Sequence, residues 1–186
     1  ARVSFLFKGP ATTGSYPITL PRRSSDLRVA KLAALIAEQL SDSKAVVEKA
    51  ASLCKADLVT RMVYEFPELQ GIMGGYYASA SGEPVEVANA IREHYQPTQA
   101  GGPIPSTRAG PIVALADKLD TLAGIFAIGQ KPTASKDPFA LRRAALGVLR
   151  ICIEGSLPLD VGALLKSALE AQPAGKRDAA VLKELT

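Results

Sequence analysis

From residue 28 onward, apolar positions recur at the three- and four-residue spacing of a helix face. In "RVAKLAALIAEQL", Val29, Leu32, Ile36 and Leu40 fall on one stripe. Ser41 or Ser43 is placed to cap a second helix, "KAVVEKAASLCKADLVTRMVYEF", with Val46, Ala50, Leu53 and Val63 on its apolar face. "ELQGIMGGYYASASGEP" predicts a helical piece loosened by Gly71, Gly74 and Gly75. Glu83 and Pro84 open another helix that runs through Ile91 to His94. "QPTQAGGPIPSTRAGP" predicts a loop, and residues 112–128 a long helix that is apolar almost all round. Asp137 and Pro138, an acid at the cap and a proline in the first turn, predict a helix ending at Gly155. Two amphipathic helices follow, near residues 159–171 and 176–185. No useful length alternates with period two, so the expected fold class is all-α, a helical bundle around residues 112–128.

Residues 1–27 break this pattern. "GPATTGSYPITLPRRSSDL" is rich in Gly, Pro, Ser and Thr and predicts an irregular N-terminal segment, set apart from a helical domain over 28–186. Two origins stand for it. It is an ordinary arm, or it is non-native, since "RRSSDL" (residues 22–27) is also what a common sequencing-adapter oligonucleotide encodes in one frame.

Composition narrows the function classes. The 186 residues are 47% hydrophobic but only 5% aromatic, with no Trp, so Ala and Leu must do the packing. A net charge of +4 is compatible with a phosphate-rich partner without demonstrating one. Cys54 and Cys152 lack metal-ligand spacing and predict two buried thiols in a reducing compartment. No apolar run reaches the roughly 20 residues of a membrane span. Residues 3–7 are too short for a signal peptide and follow no basic region, so a cytoplasmic protein is expected.

The charged residues set within apolar surroundings are the candidate chemistry. Asp117 and Asp120 share a helix face, which would suit a shared metal or proton. With no histidine or third acid near in sequence, ion pairs are favoured, because an unpaired buried carboxylate costs several kcal/mol. Arg142, Arg143, Arg61 and Lys55 are the available partners. Arg142 and Arg143 diverge by about 100° on their helix. Arg142, beside Phe139, Leu146 and Leu149, suits an internal pair, whereas Arg143 and Arg150 suit an exposed anion contact or a solvated face. His94, the sole histidine, makes no zinc or triad set and predicts a helix-end residue favoured by the dipole. The "GIMGGYY" glycines follow no strand, match no nucleotide fingerprint and predict close helix packing.

Three blocks carry a family resemblance: "KADLVTRMVYEFPELQGIMGGYYA" (55–78), "VANAIREHYQP" (87–97) and "VALADKLDTLAGIFAIGQKPTASKDPFALRRAALGVLRI" (113–151). Together they closely resemble the beta subunit of the bacterial heterotetrameric glycyl-tRNA synthetases. Beta subunits of that family are several times longer, so the resemblance implies a fragment, its HD-like helical domain. Working HD phosphohydrolases hold a metal through a histidine, a His-Asp doublet and a later aspartate. Here Ala56–Asp57 stands at the doublet, His94 at a downstream histidine and Asp117 at the closing aspartate. The resemblance thus implies no metal and no catalytic residue in this segment. It implies ATP and Mg used by the alpha subunit, and as partners that alpha subunit, the remainder of beta and tRNA(Gly). Arg143, Arg150, Lys131 and Lys136 are the expected tRNA contacts, while Asp57, His94, Asp117, Asp120 and Arg142 are expected in structural ion pairs or degenerate HD positions. The rival expectations are a metal-dependent phosphohydrolase of the HD type and a helical scaffold that does not touch RNA.

Overall fold

The computed structural model of the chain describes residues 2–8, 15–21, 24–176 and 179–185. Helices α1 (Ser24–Gln39), α2 (Lys44–Leu53), α3 (Arg61–Glu65), α4 (Ile72–Ala80), α5 (Val85–Glu93), α6 (Gly110–Ala127), α7 (Leu141–Glu154), α8 (Val161–Glu170) and α9 (Ala179–Leu185) follow in order, and build an all-α bundle. The segment expected to be irregular instead holds two antiparallel strands, β1 (Arg2–Lys8) and β2 (Ser15–Pro21), with Arg2 opposite Pro21 and Lys8 opposite Ser15. Val3, Phe5 and Phe7 alternate with Arg2, Ser4, Leu6 and Lys8, a short period-two pattern that Leu6 interrupts beside the Pro- and Gly-rich stretch. The helical region begins at Ser24 rather than at 28.

α6 is the central element. Ile112, Val113, Ala114, Leu115, Ala116 and Leu119 are at most 1% exposed, because α1, α2, α5, α7, α8 and α9 pack around the helix. An all-round apolar surface can only be satisfied in this way. Leu32 and Ile36 of α1, Val47 and Leu53 of α2, and Ile91 of α5 complete the core. Among the described residues no helix is long and apolar enough to cross a membrane. Cys54 and Cys152 are free and buried.

The expected second helix is broken into three. α2 ends at Leu53, a 3-10 turn covers Ala56–Val59, and α3 restarts at Arg61. Thr60 makes the restart. Its hydroxyl donates to the Asp57 carbonyl at 2.7 Å and accepts from the Val63 amide at 3.4 Å. The break turns Asp57 inward, under α4. There Gly74 is required, since a Cβ would lie 2.8 Å from Ile91 Cγ2 and 3.1 Å from Asp57 Oδ2. The helix expected from Asp137 starts later, at Leu141, although Asp137 still supplies the cap: its carboxylate accepts from the Leu141 and Arg142 amides at 2.8 and 3.0 Å.

Candidate functional site

Asp117 and Asp120 lie one turn apart on α6, yet meet different cations. Lys55, just past the end of α2, donates to Asp117 Oδ2 at 2.8 Å and stands 3.9 Å above the Tyr95 ring. Burial alone would push the Asp117 carboxyl up, but Lys55, helped by His94 and Lys118, holds the carboxyl below its usual range. Burial likewise works against the Lys55 ammonium, and Asp117, with smaller contributions from Cys54 and Tyr95, reverses it and raises the pKa. Asp120 is gripped by Arg28 of α1, Nε to Oδ1 at 2.7 Å and Nη2 to Oδ2 at 3.0 Å, and also accepts from Gln172 Nε2 at 2.9 Å. This bidentate geometry suits a guanidinium.

The assignment of Arg142 to an internal pair is corrected. Its side chain is exposed and donates to the Thr133 carbonyl. The late start of α7 places Arg142 in the first turn, outside the packed part of the helix, and Arg28 takes the partner role expected of it. His94 is corrected as well. It does end α5, but the ring is fully buried, and burial together with Lys55 lowers its pKa to about 3. The ring is therefore neutral and gains nothing as a cation from the helix dipole. Nδ1 donates to the Ile91 carbonyl at 2.6 Å, and Nε2 has no hydrogen-bond partner among the described residues.

Asp57 is committed to backbone. Its Oδ2 accepts from the Gly71 amide at 2.6 Å and the Gly74 amide at 3.0 Å, at the N-terminal end of α4. Burial nevertheless outweighs these bonds and raises its pKa, and Oδ1 is left without a partner among the described residues. An HD-type metal does not fit this donor set. Ala56 offers no ligand, Asp57 serves two amides, and Asp117 is neutralised by an ammonium. Among the described residues no group of three or more His, Cys, Asp or Glu side chains could hold a metal ion.

Beside this buried cluster lies an open cleft of about 660 Å³ between the 95–98 segment, α6 and the start of α7. Lys55, Lys118 and Arg143 line it together with Tyr95, Thr98 and Asp117. Lys118 is 8% exposed and reaches the His94 carbonyl at 3.2 Å. Arg143 is exposed, and its Nη1 donates to the Thr98 carbonyl at 3.3 Å. Arg150 is more fully occupied: Glu154 takes Nε and Nη2, and the Gly102 carbonyl takes Nη1 at 2.8 Å. Both arginines thus hold the loop between α5 and α6. Lys131 and Lys136 are exposed in the turn before α7.

Comparison with known proteins decides the lineage. A family profile described as "Glycyl-tRNA synthetase beta subunit" matches residues 24–186. The chain belongs to the glycyl-tRNA synthetase beta subunit family. It is 58% identical over 153 residues to the glycine–tRNA ligase beta subunit of Aromatoleum aromaticum, covering 82% of this chain and 22% of that protein. Similar proteins of the same name occur in Paracidovorax citrulli, 57% identical over 77% of this chain and 21% of theirs, and in Stutzerimonas stutzeri, 61% identical over 72% and 20%. The chain therefore spans about a fifth of the length of these relatives. The family match leaves β1 and β2 outside it.

Two residues of the site carry little sequence signal. Lys118 is a lone lysine within an apolar helix, and its neighbour Asp117 makes it look like half of a local pair. Arg28 is the first residue of the regular pattern, where it passes for a solvated helix end. Its 92-residue separation from Asp120 hides the contact.

Proposed function

We propose that this chain is a non-catalytic module of a glycine–tRNA ligase beta subunit, supporting tRNA(Gly) binding and subunit assembly. The observation that supports the RNA role is the cationic cleft, with Lys118 at its floor and exposed Arg143 at its mouth. Arginine and lysine read the shape and phosphates of RNA more than its sequence. Arg143, with Lys136 and Lys131 in the preceding turn, forms the contact set, and Arg150 backs it by fixing the loop that Arg143 also touches. Assembly is supported by α7, where Leu146, Leu149 and Ile153 are 48%, 49% and 73% exposed on one apolar stripe. The alpha subunit and the remainder of beta are the partners, ATP and Mg belong to the alpha subunit, and the setting is the cytoplasm.

The test is the binding of tRNA(Gly) to the complete synthetase at several salt concentrations. Arg143→Ala should lower the log–log salt slope by about one unit, as expected when one phosphate is no longer neutralised. Arg150→Ala should weaken binding with a smaller change in slope. Equal slopes in wild type and Arg143→Ala would leave the helical-scaffold reading in its place.

A further inference from the structure

Among the described residues, Lys118 is a buried cation with little to neutralise it. An ammonium has three donors, and among the described residues its one hydrogen-bond partner is the His94 carbonyl. Burial lowers its pKa to about 8, with Asp117 opposing and Lys55 adding to the fall. It is no paired charge, since Asp117 is already bonded to Lys55. Room for it is built in: a Cβ on Gly147 of α7 would lie 2.9 Å from Lys118 Cε, so the glycine lets the side chain pass toward the cleft. One turn earlier on α7, Arg143 borders the same cleft. Glu68 also lines it, on the exposed side, without a partner among the described residues.

We propose that this cleft is a binding site for a phosphomonoester, seated on Lys118 with Arg143 closing over it. Beyond the Lys55–Asp117 pair, Lys118 and Arg143 outnumber the one remaining acid, Glu68, which lies on the exposed side, and so favour a group that carries about −1.5 to −2 at neutral pH. The depth of Lys118 selects for a terminal group. A phosphodiester within a strand carries a substituent on each side and a single charge, whereas a monoester projects alone and can reach a floor that is 8% exposed. Thr98 and the Tyr95 hydroxyl are further cleft residues able to donate to phosphate oxygens. The shared chemistry is the monoester, carried either by an RNA 5′ end or by a small phosphorylated molecule. The inference deepens the RNA-contact reading and rests on it only for the strand-end source.

The experiment uses the complete synthetase and three probes at constant ionic strength. These are a short oligoribonucleotide with a 5′ phosphate, its 5′-hydroxyl twin, and inorganic phosphate as competitor. The 5′ phosphate should tighten binding about tenfold, by the measure of one charge-assisted hydrogen bond. That advantage should vanish in Lys118→Met, fall severalfold in Arg143→Ala and survive in Lys118→Arg. Inorganic phosphate should erase it in the wild type. Lys118-dependent binding of inorganic phosphate without a 5′-phosphate advantage would support the site and assign it to a small ligand. Should Lys118→Met fold poorly by circular dichroism, the exposed Arg143→Ala and the charge-preserving Lys118→Arg carry the comparison. No phosphate binding, or binding indifferent to both Lys118→Met and Arg143→Ala, would overturn the proposal. An Arg143 effect on the tRNA salt slope alongside that result would leave the RNA-contact reading standing.

Discussion

Lys55 and Asp117 form a half-buried ion pair, 2.8 Å from Nζ to Oδ2, whose two side chains are 23% and 17% exposed. Removing one partner leaves the other in a poorly solvated place. Asp117→Ala should cost roughly 3–5 kcal/mol, a large share of the 5–15 kcal/mol a domain typically has. Replacing both by apolar residues of similar volume, Lys55→Met with Asp117→Leu, should recover much of that loss. Denaturant melting of the three variants checks it, and an unchanged midpoint in Asp117→Ala would refute the structural role.

Asp120 and Arg28 should be coupled, and Asp120 and Arg142 should not. A double-mutant cycle of Asp120→Ala with Arg28→Ala should return an interaction of about 1–3 kcal/mol. Arg142→Ala alone should change stability by about 0.5 kcal/mol or less, as exposed sites do. A coupling found with Arg142 instead would place the guanidinium of α7 inside.

The start of α4 depends on one carboxylate and one missing methyl. Asp57→Ala should cost about 1–3 kcal/mol by leaving buried amides unbonded, and exchange at the Gly71 and Gly74 amides should quicken. Gly74→Ala should cost a similar amount, about 1–3 kcal/mol, through overpacking against Ile91. Amide exchange measured by mass spectrometry reads both. Protected amides in Asp57→Ala would mean that α4 is held by something else.

His94 is the chain's only histidine, so it gives a clean acid signature. Its folded pKa is lowered to about 3 from 6.5. Between those values the unfolded chain binds a proton that the folded chain refuses. The contribution is complete above pH 6.5 and lost as pH falls toward 3. The slope should be about half of 1.4 kcal/mol per pH unit at the upper bound and approach the full value about one pH unit below it. Asp57, whose folded pKa is raised, works in the opposite sense and flattens the curve at more acid pH. Melting temperatures of wild type and His94→Gln between pH 7 and 5 test this. Parallel pH profiles would show that His94 accepts its proton while folded.

The helical periodicity from residue 29 onward is enough to foresee the bundle and its axis, because an apolar surface like that of α6 has only one solution. Local chemistry is harder to read. The break at Cys54–Lys55 has no Gly or Pro to announce it; it exists because Asp57 and Thr60 find partners within the turn and at α4, which periodicity does not reveal. Cap chemistry is visible at Asp137, but not that the helix begins three residues beyond Pro138. The carboxylates Asp117 and Asp120 can be recognised as needing cations. Which cations they take depends on how α1 and α2 lie against α6, and helix-face arithmetic within one helix cannot supply that. For the same reason Lys118 is silent in the sequence: its meaning comes from Gly147, on another helix.

The two amides that hold Asp57 also bear on what this scaffold can become. A metal site at these positions would begin with Ala56→His, yet that change alone leaves Asp57 Oδ2 and Asp117 engaged, with only His94 Nε2 and Asp57 Oδ1 unbonded among the described residues. Asp57 would have to release the start of α4, and Asp117 would have to give up Lys55, before either could face a metal. Each release destabilises the fold before any activity could reward it. Building a metal centre here therefore takes several substitutions at once, and substitutions around the cationic cleft are tolerated more readily than changes to carboxylates committed to structural service.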